Sequence, residues 1–389
     1  MPQHTSASPF SPQDFSMMSR ALKLARRGIY TTAPNPNVGC VIVRDGVIIG
    51  EGYHHRAGEP HAEVHAMRMA DDKAEGATAY VTLEPCSHYG RTPPCAEGLI
   101  KAKVARVVCA MEDPNPKVAG RGIQMLREAG VEVQVGLLEN DAIELNRGFI
   151  KFMQTGMPFI QLKMAASLDG QSALSNGKSQ WITSPQARQD VQCYRAQSGG
   201  ILSTSKTVMD DNASLNVRWD DLPQSVQAHY ELTEVRQPAR VILDRQQKLS
   251  DDLKLFSTEG ERIIVSSEGD VCPQLDQSGK IDLAATLKAV ATQHNINHLW
   301  VEAGATLASS LIKANLVDEL IVYLAPKLMG SDGRGLIGAL GLTEMAQVID
   351  LNITDVRMVG RDIRITATLV RKKNLEKKHY VYRNCRSSW

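Results

Sequence analysis

Apolar residues along the chain fall in short runs separated by polar breaks marked with Gly and Pro, a pattern of strands alternating with helices. Residues 1–13 are polar and rich in Pro and Ser, which predicts a disordered lead-in. From Asp14, DFSMMSRALKLARRG reads as a helix ending at Gly28, and the prolines of APNPNVG (33–39) make the next stretch a loop. VGCVIVRDGVIIGEG predicts two strands with a turn at Asp45-Gly46. Pro60 precedes the helix-forming HAEVHAMRMA, TAYVTLE is a strand, and Pro93-Pro94 opens a second helix with Cys95 in its first turn. VARVVCAM and VEVQVGLL are strands around a helix closing on Gly130, and residues 137–157 read as one connecting helix ending near Gly156.

The second half repeats the alternation with different residues. PFIQLKMAASLDG is a buried strand turning at Asp169-Gly170, and a small-residue loop follows over 173–179. Next comes a helix with Ser184 as N-cap, Pro185 as first residue and Gly199-Gly200 as stop. ILSTSKTVMDDNASLNVR reads as a short strand and a loop. Further strands are expected at VILD and IIVSS, a helix near 282–293, and LIVYLAP and IRITATLV as the last strands. In HLWVEAGATLASSLI a strand passes through Gly304 straight into a helix from Ala305 to Ala314, and the N–H groups at such a junction suit a pyrophosphate. The junction is not G-x-G-x-x-G, so it is no Rossmann signature. The domains expected are 14–156 and 157–370, with a basic tail at 371–389 read as disordered and, second to that, as a nucleic-acid contact.

Composition narrows the function classes. A net charge of +1 and an aromatic fraction of 5% give no nucleic-acid footprint. No apolar run has the length of a membrane span. The seven cysteines are odd in number and scattered, and no secretory leader is read, so a reducing cytoplasm is the expected compartment.

The chemistry concentrates between His61 and Cys95. His61, Cys86 and Cys95 can supply the three protein ligands of a catalytic zinc, and Glu63 is placed to move protons for its water. Cys95, at a helix N-terminus, is expected to be favoured as thiolate and so primed to bind metal. His65, one turn after His61, or His88, between the cysteines, would instead close a structural site. A Cys86–Cys95 disulfide is a further alternative. The loops APNPNVG and DPNPKVAGRG (113–122) each place Asn between prolines, which serves a pyrimidine edge or simply a turn.

H-A-E followed by P-C resembles the zinc nucleobase deaminases, although the second cysteine comes after eight residues rather than two. The longer PCSHYGRTPPC resembles the deaminase half of the bifunctional deaminase/reductases of riboflavin biosynthesis. LKMAASLDG, SQWITS, DNASLNVR, WVEAG and LAPKLMGSDGRG resemble their reductase half. The resemblance covers residues 14–370. It implies a cytidine-deaminase-like three-layer α/β domain followed by a dihydrofolate-reductase-like α/β domain, with one Zn²⁺ in the first and NADPH in the second. The first would deaminate a diaminohydroxy-(phosphoribosylamino)pyrimidine, with Asn35, His54, Arg91, Asp113 and Asn115 contacting it. The second would reduce the ribosyl group to ribityl. There the resemblance gives Lys163, Asp211 and Glu302 as catalytic and Ser179, Arg195, Leu215, Arg218 and Glu302 as substrate-binding, with both arginines as phosphate clamps. Ala165, Trp181, Thr207, Asp211, Gly304, Ala305, Thr306, Leu307, Ala308, Ser309 and Ser310 would meet the cofactor. The chain departs from the family at Ala305, where proline is common, and at Lys206, where a small residue is common. The family also implies a homodimer or higher homo-oligomer, formed through the second domain. A cytidine or tRNA deaminase with an unrelated second domain, a zinc-stapled binding module, and a chain with one live activity are the rival readings.

Overall fold

The computed structural model describes residues 9–89, 93–116 and 118–370. The expected lead-in falls largely outside the described residues, as do the basic tail and Arg91. The first helix starts at Pro12 rather than Asp14: α1 (Pro12–Ala25) is capped by the Ser11 side chain, and Asp14 returns the bond in a capping box.

Five strands form the first sheet. β1 (Gly39–Arg44) and β2 (Val47–Tyr53) are the expected hairpin, with positive φ at both Asp45 and Gly46. β3 (Thr78–Val81), β4 (Arg106–Cys109) and β5 (Glu132–Val135) run parallel to one another, and the order is β2-β1-β3-β4-β5. α1 covers one face. α2 (Ala62–Ala70), α3 (Cys95–Lys101) and α4 (Arg121–Glu128) cover the other, completing three layers. α2 lies unusually close to β2 because Gly50 and Gly52 carry no side chain there: a Cβ would stand 2.1 Å from the Ala66 carbonyl and 2.3 Å from that of Ala62. This close seat fixes the helix whose N-cap is His61.

The connecting helix is two helices, α5 (Glu139–Leu145) and α6 (Arg147–Thr155). The break is at Asn146, whose side chain accepts from the Asn37 N–H (2.7 Å) and donates to the Asn37 carbonyl (3.0 Å). Helical periodicity continued through this residue; a tertiary contact interrupts it.

β6 (Phe159–Ser167) begins the second sheet, and β7 (Gln171–Ala173) follows outside it. α7 (Pro185–Gln197) has the expected Ser184 cap, accepting from the Ala187 N–H. β8 (Gly200–Thr204) leads into α8 (Ser205–Asp211) where a loop was expected; Thr204 caps it and Asn212 ends it in the left-handed region. After the short α9 (Gln224–Gln227) come β9 (Ala239–Leu243), α10 (Lys254–Ser257), β10 (Arg262–Val265) and α11 (Leu283–Gln293). β11 (His298–Glu302) feeds α12 (Ala305–Lys313), followed by β12 (Glu319–Ala325), β13 (Arg334–Gly335), β14 (Leu351–Val359) and β15 (Asp362–Leu369). The eight-stranded order is β10-β9-β8-β11-β6-β12-β15-β14, parallel through β12 and antiparallel beyond, while β7 and β13 pair separately. Cores lie on both faces of this sheet. β14 is a further strand where none was expected. It is the sheet edge and no residue of it is fully buried, so it lacks the apolar run of an interior strand.

The two sheets meet near the amino ends of β6 and β11. Tyr30 stacks on Tyr230 at 5.0 Å, Arg147 of α6 pairs with Glu319 at 2.6 Å, and Asn297 donates to the Pro34 carbonyl at 2.6 Å.

Candidate active sites

The first site is assembled from the start of α2 and the segment between β3 and α3. His61 Nδ1 lies 3.6 Å from Cys86 Sγ and 3.4 Å from Cys95 Sγ. A tetrahedral zinc with its usual bond lengths would hold a nitrogen and a sulfur about 3.5 Å apart, so this donor set fits the metal. Neither His65 nor His88 belongs to the ligand group: His65 stacks on His55 at 4.4 Å, and His88 lines a separate small pocket with Arg121 and Glu128. Both cysteines are free thiols. Three ligands without a fourth among the described residues is the arrangement of a catalytic rather than a structural zinc.

The helix N-terminus acts on the other thiol from the one expected. The Cys95 N–H donates to Cys86 Sγ at 3.3 Å. The Cys95 thiol and this N–H hold Cys86 below the usual thiol range, while the Cys86 sulfur and burial push Cys95 up. Glu63 is buried, and burial raises it to about 7 against the opposing pull of His61.

Asn35 Nδ2 is 3.1 Å from His54 Nε2, and His54 Nδ1 is 3.2 Å from the Pro60 carbonyl. A carbonyl only accepts, so His54 carries its proton on Nδ1 and Nε2 accepts from Asn35. Burial lowers the pKa of His54, which keeps the ring neutral. That ring packs edge-on against His61 at 5.5 Å, so Asn35, His54 and the ligand His61 form one chain. Asp113 accepts from the Asn115 N–H at 2.8 Å, and burial raises its pKa.

Glu84 is the residue that sequence reasoning passed over. It is buried three residues past the end of β3, and its carboxylate accepts from the N–H groups of Asp113 (3.0 Å), Gly120 (2.9 Å), Gly122 (2.8 Å) and Ile123 (3.3 Å). It therefore ties the 113–122 loop and the start of α4 to the strand that delivers Cys86. An acidic residue closing an apolar strand directly before Pro-Cys was the available signal.

The second site is a cleft of about 2110 Å³ beyond the carboxyl ends of β6, β8 and β11, the usual ligand position in a parallel sheet. Single-ligand pockets run to roughly 1,000 Å³, so the cleft has room for a dinucleotide and a substrate together. It is lined by Lys163, Ala165, Ser179, Trp181, Arg195, Thr207, Asp211, Leu215, Arg218, Glu302 and, from the β11–α12 junction, Gly304 to Leu307 and Ser310. Nothing lies within 4 Å of where a Gly304 Cβ would stand, which leaves the start of α12 open to a phosphate group. Ala308 and Ser309 do not line the cleft. Ala308 is in the core beside Leu311, and Ser309 is buried and donates to the Thr306 carbonyl, because a helix turns only one face to a ligand.

Lys163 and Glu302 are 139 residues apart but adjacent in register on β6 and β11. Glu302 accepts from Arg195 Nε (2.6 Å), Arg195 Nη2 (2.8 Å) and Trp300 Nε1 (2.8 Å). Burial pushes Glu302 up, but Arg195 and Lys163 outweigh it and hold the carboxyl at about 2. Burial lowers Lys163 from the usual lysine range, opposed by Glu302. Arg195 differs from the clamp the sequence suggested. It is buried, paired with Glu302 and bonded to the Asn216 carbonyl at 3.0 Å, so three of its five N–H groups are engaged and its charge is matched. Arg218 is half-exposed and tied through Nε to Asp221, and its Nη groups have no hydrogen bond among the described residues. The Lys206 charge is matched by Asp210 at 2.8 Å.

Known proteins match both halves of the chain. Residues 11–111 match the family described as the cytidine and deoxycytidylate deaminase zinc-binding region, and residues 158–365 match the RibD C-terminal domain. The riboflavin biosynthesis protein RibD of Escherichia coli K12 is 54% identical over 360 residues, covering 90% of this chain and 98% of that protein. The structure of Acinetobacter baumannii RibD superposes with a TM-score of 0.85 at 45% identity, covering 92% of this chain and 99% of that one. A Thermotoga maritima diaminohydroxyphosphoribosylaminopyrimidine deaminase/5-amino-6-(5-phosphoribosylamino)uracil reductase superposes at 0.78 with 30% identity and the same coverage. The likeness spans both sheets and both clefts, and on that extent the chain belongs to the RibD family of bifunctional riboflavin-biosynthesis deaminase/reductases.

Proposed function

We propose that the chain acts twice on one phosphorylated pyrimidine. The first domain hydrolytically deaminates 2,5-diamino-6-(5-phosphoribosylamino)pyrimidin-4-one, and the second reduces the ribosyl group to ribityl with NADPH. The observation that carries this reading is the His61–Cys86–Cys95 triangle beside buried Glu63, in one chain with the Lys163–Glu302 cleft. The domains are assigned as 14–156 and 157–370, supported by the separate sheets and the two family matches.

Zinc held by His61, Cys86 and Cys95 supplies, when bound, a Lewis acid that brings water towards ionisation at neutral pH. Glu63 takes the proton of the attacking water and delivers it to the leaving amine, so that water oxygen replaces nitrogen and ammonia departs. Asn35, neutral His54, Asp113 and Asn115 hold the ring. Arg91 is assigned to the same substrate from its place in the motif, outside the described residues. In the second cleft Ala165, Trp181, Thr207 and the Gly304–Leu307 junction would hold NADPH, which when bound would supply the hydride for C1 of the ring-opened imine. Lys163 is placed to give the proton to the imine nitrogen, Glu302 and Asp211 set its electrostatics, and Ser179, Leu215 and Arg218 hold the ribosyl phosphate chain.

The family expectation of a homo-oligomer is assigned to the β14 edge. Leu351, Ile353, Val356 and Met358 share one face across a bulge and are 46–62% exposed, a stripe that an unpaired edge strand rarely leaves to water. In sedimentation the protein should run as a dimer, and Val356→Lys should run as a monomer; a monomeric parent at micromolar concentration would sink this assignment. No helix among the described residues is long and apolar enough to cross a membrane. Six free cysteines among the described residues support a reducing, cytoplasmic compartment, and the near-neutral charge supports a partner set without nucleic acid.

The direct test gives zinc-loaded protein the aminopyrimidine phosphoriboside and follows ammonia with and without NADPH. Ammonia should appear without NADPH, and NADPH oxidation of equal stoichiometry should follow its addition. Ammonia with no NADPH oxidation would refute the second half of the reading.

A further inference from the structure

The loop that carries Asn35 is poorly anchored by its own backbone. Pro34 and Pro36 have no N–H, and the Asn35 N–H reaches only back to the Thr32 carbonyl at 2.8 Å. At its far end Asn37 is held by Asn146. Between these points the Pro34 carbonyl is held from the other domain, by Asn297 Nδ2 at 2.6 Å. Asn297 is itself fixed: it is 6% exposed, its carbonyl accepts from the Phe159 N–H at 2.8 Å, and it directly precedes β11.

We infer that Asn297, a residue of the reductase domain, is a positioning residue for deamination. It holds the Pro34 peptide, and through it sets where the next residue, Asn35, presents its amide to His54 and to the pyrimidine. This rests on Asn35 as a substrate contact, as proposed above. β11 therefore has one end in each reaction: Asn297 steadies the deaminase loop, and Glu302, about 16 Å further along the strand, belongs to the reductase cleft. The second domain is a structural part of the first active site.

The test is Asn297→Asp in the full-length, zinc-loaded protein. The replacement keeps the shape and sets a carboxylate against the Pro34 carbonyl, so the donor is lost. The KM for ammonia release should rise about tenfold with kcat changed less than threefold. Zinc content and the KM for reduction of the already deaminated substrate should be unchanged. Asn297→Ala, a milder change, should raise the deamination KM in the same direction and serves if the aspartate variant does not fold. Arg56→Ala removes a different contact between the domains, to the Glu234 carbonyl at 3.5 Å, and should leave the deamination KM within twofold. An equal rise in Arg56→Ala, an unchanged KM in both Asn297 variants, or equal losses in both reactions would overturn the inference. Asn35→Ala separates the two levels: an unchanged deamination KM there would remove Asn35 from the substrate site, and the inference with it. A raised KM in Asn35→Ala with unchanged Asn297 variants would refute the role of Asn297 alone.

Discussion

Glu63→Gln is expected to abolish ammonia release while zinc binding and NADPH-dependent reduction persist. The side chain is buried and touches the ligand cluster, so an isosteric amide keeps the packing and removes only the capacity to accept and deliver a proton. Proton transfer by a placed carboxylate is worth on the order of a hundred- to ten-thousandfold, and here one group serves both the water and the leaving amine, so a loss of at least about a thousandfold is expected. Metal analysis should still find one zinc per chain. Reduction of the deaminated substrate should proceed at the parent rate, because Lys163 and Glu302 lie in the other sheet. Ammonia release within tenfold of the parent would remove Glu63 from the reaction.

Glu302→Ala is expected to give the largest loss of stability among single substitutions in the second cleft. It strips the buried Arg195 guanidinium of its bidentate partner, and an uncompensated buried charge costs about 3–5 kcal/mol. Glu302→Gln, which keeps the volume, should cost less, and its deficit should depend on pH with a definite sign. The folded carboxyl sits at about 2, against an ordinary value of 4.5. A depressed acid stabilises the folded state fully above its unfolded pKa and loses that contribution as pH falls towards the folded value. The difference between parent and Gln variant in urea unfolding should be about 3 kcal/mol near neutrality and shrink between about pH 4.5 and 2. A difference independent of pH would mean that Glu302 is not the ionised partner of Arg195. Reduction should fail in both variants, since Arg195 and Lys163 lose the charge that orients them.

Much of this was legible in the sequence because ligand chemistry is local. His61 and Glu63 share one helical turn, both cysteines directly follow a proline, and Pro94 marks the start of the Cys95 helix, so the metal triangle could be read without knowing the fold. The hairpin, with two residues at positive φ in its turn, and the strand-to-helix junction at Gly304 were legible for the same reason. Features set by distant partners were not. Periodicity could not show that Asn146 would turn from its helix to hold Asn37, nor that exposed β14 would pair at the edge of the sheet. An arginine in a motif looks the same whether it faces solvent, as Arg218 does, or lies locked against Glu302, as Arg195 does. Asn297 had no signature at all, since its partner is a backbone carbonyl 263 residues away.

Glu84 bears on how the first site opens as well as on how it is built. One carboxylate is the shared acceptor for amides from Asp113 through Ile123, so none of those four bonds can be given up without weakening the anchor of the rest. The backbone around Asp113 and the first turn of α4 are thus expected to open as one cooperative unit anchored at Glu84, just past β3. The amides of Asp113, Gly120, Gly122 and Ile123 are expected to exchange with solvent together, which hydrogen exchange would check. If Asp113 and Asn115 meet the pyrimidine as proposed, a fluctuation that releases them should pull on Glu84, two residues from Cys86, so that admission of substrate and retention of metal would be coupled.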